Sequence, residues 1–141
     1  MRIRPTRNAA TTGFRRIEPA DIQHAQLRER ASPEMQAAHT ELFVATKGSE
    51  QVGLLSLDFP PVPQPLELYE VFVVSECRCQ GIGAFLLEQA EMVGRRRGYQ
   101  SIQLKPHPLD PEQRQEYLVE WYSRHGYSRS SSAPDFMSKM L

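Results

Sequence analysis

The run Arg78-Cys79-Gln80-Gly81-Ile82-Gly83 has the residue types that bind a phosphate group. It follows a valine-rich segment, 66–74, predicted as a strand, and it precedes an amphipathic segment, 84–97, predicted as a helix. The first turn of a helix presents unpaired backbone N–H groups and a partial positive charge, which together suit an anion. Two glycines allow the backbone to approach a ligand without an intervening Cβ atom. The run therefore predicts a phosphate-binding loop.

Two better-known phosphate loops are excluded by the residues that follow. The Walker A loop requires Lys and then Ser or Thr after its second glycine, whereas this chain has Ala84 and Phe85. The dinucleotide fingerprint requires a third glycine three positions later, and Leu86 occupies that position. The loop belongs to neither class.

Cysteine and histidine give no sign of a metal site. Cys77 and Cys79 are the two cysteines, and a disulfide between residues two apart would be badly strained. The four histidines follow no spacing typical of metal ligands. We therefore expect two free thiols, no bound metal and a reducing, cytoplasmic environment.

The composition limits the classes of function. The chain has 141 residues, with 17 Lys and Arg balanced by 17 Asp and Glu, which predicts one domain of zero net charge. A dedicated binder of nucleic acid or of a membrane surface would show a basic excess. No apolar run is long enough to span a bilayer. None of the 11 prolines falls between Leu66 and Lys105, so that window is expected to need an uninterrupted hydrogen-bonded backbone.

The periodicity of apolar residues predicts the order of the elements. Residues 1–13 are expected to form a flexible basic tail, and residues 14–141 a single domain. A parity change in the apolar pattern predicts a β-bulge near Leu54–Leu55. A strand, a helix and a second strand in succession imply a parallel pair of strands with a right-handed crossover. Strands are predicted at 14–18, 42–45, 51–59, 66–74, 101–104 and 136–141, and helices at 20–39 (weakly, with a start at Ser32), 84–97 and 112–125.

Three ordered segments resemble the GNAT family of N-acetyltransferases. The run from Val73 to Gly83 looks like the family's motif A, whose core is Arg/Gln-x-x-Gly-x-Gly/Ala. The segment from Trp121 to Tyr127 is similar to its aromatic-Tyr-x-x-x-Gly-Phe/Tyr segment, and the segment from Phe136 to Leu141 resembles its closing strand. The resemblance covers residues 42–141 well and residues 14–41 loosely.

The resemblance implies an α/β (α+β) fold with a mixed, mostly antiparallel sheet, in which a central pair of parallel strands splays apart and helices flank the sheet. It also implies acetyl-coenzyme A as the donor, with its pyrophosphate on the loop and its pantetheine beside the strand. Gln115 and Leu118 depart from the asparagine and alanine that the family often has there. The cofactor-binding residues implied are Phe72, Val73, Val74, Arg78, Cys79, Gln80, Gly81, Ile82, Gly83, Ala84, Gln115 and Tyr122.

The resemblance further implies transfer of an acetyl group to a primary amine, on a small molecule or a peptide. Tyr122 matches the tyrosine that protonates the departing thiolate, with a core aromatic as the alternative. Glu67 matches the position of a glutamate base, and Glu70 is its rival. Because residues three apart on a regular strand face opposite sides, only one of them should point inward. Both could instead be solvated edge charges.

A second interpretation is an inactive domain that binds or senses acyl-coenzyme A without turnover. Neither interpretation calls for a nucleic acid or a membrane as a partner. An assembly of two identical copies stays open in both.

Overall fold

The computed structural model describes residues 11–31, 39–107 and 114–141, and a seven-stranded sheet forms its centre. The order of the strands is β1-β2-β3-β4-β5-β7-β6. All neighbouring strands are antiparallel except β4 and β5, which are parallel, so the predicted mixed sheet is confirmed. The strands are β1 (Thr12–Ile17), β2 (Thr40–Lys47), β3 (Glu50–Asp58), β4 (Leu66–Val73), β5 (Ser101–Leu104), β6 (Ser128–Arg129) and β7 (Met137–Met140).

In the described residues, three α-helices flank this sheet: α1 (Ala25–Arg30), α2 (Ile82–Arg96) and α3 (Gln115–Arg124). Short 3-10 turns lie at Pro19–Asp21 and Ser75–Cys77. No helix in the described part of the chain is long and apolar enough to cross a membrane.

Helix α2 packs closely on β3 because Gly53 has no side chain. A Cβ atom at Gly53 would lie 2.9 Å from Cδ1 of Leu86 and 3.2 Å from Cγ2 of Ile82. Gly53 therefore faces α2, and we call this side of the sheet the α2 face. The opposite side, where Arg30 of α1 reaches Glu70, is the α1 face.

The parallel strands β4 and β5 pair over a short length and then diverge. Their register runs from Leu66 opposite Ile102 to Leu68 opposite Leu104. Beyond Leu68, β4 continues to Val73 with β3 as its neighbour on one side. The other edge of this half of β4 opens onto a gap, as the predicted splayed pair requires.

A β-bulge at Tyr69 corrects the prediction that Glu67 and Glu70 face opposite sides. Ser56 pairs with Glu70 and Asp58 pairs with Glu67, so β4 has one more residue than β3 between these two pairs. Ser56 and Asp58 are two apart in β3 and therefore share a face. Their cross-strand partners share it too, and both glutamates lie on the α1 face because the bulge adds one residue to the count.

One other prediction about elements was wrong. Leu54 and Leu55 pair regularly on both sides, and the register shifts instead at Val52 and Tyr69. The change of apolar parity reflects a strand buried on both faces, since every residue from Gln51 to Leu57 is buried. Within the weakly helical pattern predicted over 20–39, the described residues form the 3-10 turn at Pro19–Asp21 and the short α1.

Other boundaries differ by a few residues. β1 begins at Thr12, two residues before the predicted start of the domain. The two-residue strand β6 had no signal in the sequence, because two residues are too few to show an alternation of apolar and polar side chains. The predicted helix start at Ser32 and the segment 108–113 lie outside the described residues.

Candidate active site

A cavity of about 330 Å³ lies in the gap beside β4, between the loop that follows this strand and helix α3. Residues of the splayed half of β4 line one wall, and aromatic residues of α3 line another. Because β4 and β5 are parallel, the loops after both strands meet at the same edge of the sheet. The cavity is therefore at the edge where an open α/β sheet binds its ligands.

The loop at one end of this cavity has the backbone of an anion site. Gly81 precedes α2 with a φ of 80°, and no side chain caps the helix. The N–H of Phe85 is the first to bond within the helix, to the Gly81 carbonyl at 3.0 Å. The N–H groups of Ile82, Gly83 and Ala84 therefore have no partner within the helix. All three of these residues line the cavity.

Residue 79 adopts the left-handed conformation without being a glycine. Cys79 has a φ of 64°, which L-residues other than Gly, Asn and Asp seldom adopt. The side chain of Arg78, the preceding residue, turns back onto β4. Its Nε donates to the Val73 carbonyl at 3.1 Å, and its guanidinium lies 5.6 Å from the centre of the Phe72 ring. Arg78 thus fixes the loop to the strand.

The open edge of β4 offers backbone groups at alternate residues. The N–H of Val74 donates to the Val52 carbonyl, and its carbonyl accepts from Cys77, both at 3.0 Å. Both backbone groups of Val74 are therefore hydrogen-bonded within the protein, and Val74 does not line the cavity. Since backbone groups alternate along a strand, Phe72 also bonds toward β3, and the N–H of Val73 points into the gap. Val73 is the predicted residue that best fits pairing with an extended ligand.

Glu70 is the buried carboxylate of this cavity. It is 6% exposed, and its Oε1 accepts from Nε of Arg30 at 2.5 Å. Burial raises the pKa of Glu70, and the Arg30 guanidinium opposes that rise. In the described part of the chain, the second oxygen, Oε2, accepts no hydrogen bond, and it is not enclosed. One oxygen is thus anchored by Arg30, and the other has no hydrogen bond to the described residues, on a side chain that lines the cavity.

Glu67 lies on the same face but outside the cavity lining. Its Oε1 accepts from Nε2 of Gln103 on β5. Burial raises the pKa of Glu67, and the negative charge of Asp58 across the strand adds to the rise. Of the two candidate bases, Glu70 is the one that the fold brings into the cavity.

Tyr122 of α3 lines the same cavity and is 8% exposed. Burial, with a smaller contribution from the negative charge of Glu70, raises the pKa of Tyr122 to about 12. Its hydroxyl makes no hydrogen bond with the described residues. The rings of Trp121 and Tyr127 pack edge-on against it, with centroids at 5.0 and 5.7 Å. This phenol keeps its proton at neutral pH and has no protein acceptor in the described structure.

Most of the predicted site residues meet at this cavity, and some do not. Gln80 is not among the lining residues, and Gln115 donates instead to the Pro106 carbonyl at 3.3 Å. In the part of the chain that the structure describes, no group of three or more His, Cys, Asp or Glu side chains could hold a metal ion. The predicted residues that line the cavity are Glu70, Phe72, Val73, Arg78, Cys79, Gly81, Ile82, Gly83, Ala84 and Tyr122.

Sequence reasoning missed several of the lining residues. Lys105 follows β5, and the rule that parallel strand ends converge could have identified it. His107, which the sequence offers only as a lone histidine and possible base, also lines the cavity. Trp121 stood in the aromatic motif without an assigned role; its ring lies 3.5 Å from where a Cβ of Gly83 would be. The others are Leu68, Tyr69, Val71, Cys77, Tyr117 and Leu118.

Comparison with known proteins gives a family and a fold. The family model "Acetyltransferase (GNAT) family" matches residues 6–129. A GNAT family acetyltransferase from Elizabethkingia anophelis with acetyl-CoA bound has a TM-score of 0.72 and 14% identity, over 96% of this chain and 100% of that chain. The PaiA N-acetyltransferase from Thermoplasma acidophilum in complex with coenzyme A has a TM-score of 0.68 and 16% identity, over 93% and 99%. IAA acetyltransferase from Bacillus cereus ATCC 14579 has a TM-score of 0.60 and 15% identity, over 93% and 100%.

No curated protein matches this sequence. At these identities the solved structures establish the fold and nothing finer. The family model spans most of the chain, and the splayed strands and glycine loop lie within its range. The chain therefore belongs to the GNAT acetyltransferase family.

Proposed function

We propose that the protein transfers an acetyl group from acetyl-coenzyme A directly to a primary amine, within a ternary complex. One observation carries the proposal: a single cavity joins an uncapped helix N-terminus to a buried carboxylate, Glu70, and a buried phenol, Tyr122. The helix N-terminus suits a pyrophosphate, and the carboxylate and the phenol suit proton transfer at the start and at the end of one reaction.

Acetyl-coenzyme A fits the chemistry of this cavity as a substrate. The N–H groups of Ile82, Gly83 and Ala84 would bind the pyrophosphate, and a side chain at Gly81 would stand at the entrance to this cradle. The N–H of Val73 is available to pair with the pantetheine amides. A strand N–H at this edge would also stabilise the thioester oxygen as negative charge develops on it.

Glu70 would remove the proton from the attacking amine. A free alkyl amine has a pKa of about 10.4 and is mostly protonated at neutral pH, so it must lose a proton before it attacks. Glu70 lines the cavity with one oxygen open, and its raised pKa makes it a better proton acceptor than a solvated carboxylate. Glu67 has neither the position nor an open path to the cavity, so the structural evidence favours Glu70.

Tyr122 would return a proton at the end of the reaction. The thiolate of coenzyme A leaves as the tetrahedral intermediate collapses, and it needs a proton donor. Tyr122 is buried, protonated and without a hydrogen-bond partner in the described structure, which suits a general acid.

A direct transfer agrees with the state of Cys77 at the cavity. Cys77 lines it, and burial, with smaller contributions from Glu76 and Glu50, raises the pKa of this thiol. A thiol with a raised pKa is a poor nucleophile at neutral pH, because the thiolate is the reactive form. We therefore expect no acetyl group on Cys77 when the protein is incubated with acetyl-coenzyme A alone, which mass spectrometry of the digested protein measures.

The test of the proposal has two stages. Calorimetric titration with acetyl-coenzyme A should show saturable binding, and release of free thiol should then depend on one or more amines from a panel of diamines, amino acids, aminoglycosides and peptides. Mass spectrometry of the product should show one added acetyl group. Binding without amine-dependent thiol release would support the inactive binding domain instead, and absence of binding would refute both functions.

A further inference from the structure

Arg30, at the end of α1, has no role in the proposed chemistry, although it touches the carboxylate that does. We propose that Arg30 is a positioning residue for acetyl transfer, which holds Oε1 of Glu70 so that the other oxygen stays turned toward the acceptor amine. This inference rests on the proposed function. It adds a requirement that none of the three family motifs contains, because α1 precedes all three of them.

The contact between Arg30 and Glu70 has the geometry of a clamp. Nε of Arg30 lies 2.5 Å from Oε1 of Glu70, and the two side chains are 24% and 5% exposed. The same guanidinium lies 5.7 Å from the centre of the Phe72 ring, which also contacts Arg78 of the phosphate loop. A planar guanidinium that both bonds a carboxylate and stacks near a ring has little freedom to turn.

Helix α1 is itself fixed to the turn that precedes the phosphate loop. Gln26 exchanges two hydrogen bonds with Ser75: its Nε2 donates to Oγ at 2.9 Å, and its Oε1 accepts from the Ser75 N–H at 3.1 Å. His24 accepts from the Gln26 N–H through Nδ1 at 3.1 Å, capping the helix, and its Nε2 lies 3.2 Å from Oε1 of Glu76. A six-residue helix is not stable alone, so these contacts determine the position of α1 and therefore of the Arg30 backbone.

The other groups around Glu70 do not replace this clamp. Tyr122 faces it from α3 and Ser56 lies opposite on β3, while Glu67 and Asp58 add negative charge on the same face. Lys105 and His107 line the cavity from the segment after β5. In the part of the chain that the structure describes, the ionic partner of Glu70 is Arg30. Without it, a buried carboxylate would lose both its orientation and the charge that opposes protonation.

The direction of the pH effect follows from these contacts. Burial raises the pKa of Glu70 and Arg30 lowers it. Removing Arg30 therefore moves the pKa of Glu70 upward, and the acidic limb of the kcat/KM profile moves to higher pH. A purely structural role for Arg30 would change the melting temperature without moving that limb.

The experiment compares three variants of the full chain. R30Q should lower kcat at least about 10-fold, leave KM for acetyl-coenzyme A nearly unchanged and shift the acidic limb upward by about one pH unit or more. R30K should recover part of kcat, because lysine supplies the charge without the planar fork. R28Q removes the same charge from an exposed residue of the same helix and should behave as wild type.

A double-mutant cycle completes the test. In an E70Q background, R30Q should have little further effect on kcat, because the group that it positions is already altered. A stable R30Q protein with wild-type kcat and an unmoved acidic limb would overturn the proposal, as would an equal effect of R30Q with and without Glu70. If R30Q does not fold, the kcat of R30K provides the test instead. A wild-type kcat in R30K would contradict the proposed clamp.

Failure of the proposed function would be visible separately. If wild-type protein transfers no acetyl group, the carboxyl ¹³C resonance of Glu70 can still be titrated in wild type and in R30Q. A higher midpoint in R30Q supports the Arg30 clamp alone, and identical midpoints refute it.

Discussion

Replacing Tyr122 by phenylalanine tests the proposed general acid with a small change of structure. The substitution removes one hydroxyl and keeps the ring that packs against Trp121 and Tyr127. Because that hydroxyl makes no hydrogen bond with the described residues, the folded protein loses no such bond. We expect the free energy of unfolding to change by less than about 1 kcal/mol.

The effect on turnover should be much larger. With a pKa of about 12, near pH 8 only about one Tyr122 side chain in ten thousand is ionised, so the proton donor is almost fully loaded. Burial also limits the access of water as a substitute donor. General acid catalysis contributes roughly 100-fold to 10,000-fold, so a loss of at least about 100-fold in kcat, or ~2.7 kcal/mol, is expected in the variant.

The measurement is steady-state thiol release over a range of acetyl-coenzyme A and amine concentrations. The Kd of acetyl-coenzyme A, from calorimetry, should stay within about threefold of wild type, because the hydroxyl is assigned to a proton and not to binding. Wild-type kcat in Y122F would refute the role of Tyr122. A weakened Kd with unchanged kcat would make this residue a binding group instead.

Two further predictions concern the loop and the core. G81A should weaken binding of acetyl-coenzyme A at least about 10-fold. The control is G98A, at a glycine whose φ of 85° is close to the 80° of Gly81; it should lose similar stability through backbone strain and leave the Kd unchanged. Calorimetry measures the Kd and melting curves measure the stability, and equal Kd values in the two variants would remove Gly81 from the phosphate site. E91Q should destabilise the fold by about 2–3 kcal/mol in urea unfolding, since buried Glu91 accepts from Lys139 at 3.0 Å and from Tyr127 at 2.9 Å. Exposed Glu88 on the same helix provides the control, and E88Q should be neutral.

The segment from Leu66 to Arg96 was predicted well because its sequence signals are local. The strand, loop and helix from Leu66 to Arg96 follow from β-branched residues, two glycines and a 3.6-residue period, each readable within a short window. The proline-free window from Leu66 to Lys105 does contain this strand, helix and neighbouring strand. The helical pattern over 20–39 is weak because α1 is short and is held by contacts with Ser75 and Glu76, about fifty residues away in sequence.

The candidate site was less accessible to prediction, for the same physical reason. Glu70 lines the cavity and Glu67 does not because β5 pairs with β4 at Glu67 and stops at Leu68, and no local pattern encodes this pairing. The hydrogen bonds of the Val74 backbone to Val52 and Cys77 likewise depend on tertiary structure. The roles assigned to Tyr122, Glu70 and the loop stay predictions until the variants are measured.

The extra residue at Tyr69 divides β4 into two segments that are out of phase by one residue. Leu66 and Leu68, before it, point into the core under α2, while Glu70 and Phe72, after it, point to the opposite face. Deleting Tyr69 would remove the extra residue and let β4 alternate regularly against β3. With the phosphate loop kept in place, Leu66 and Leu68 would stay in the core under α2, and Glu67 would stay on the opposite face. For a relative whose strand lacks this extra residue, positions counted from the start of the strand and from the loop would differ by one, and the count from the loop is the one that identifies the carboxylate in the cavity.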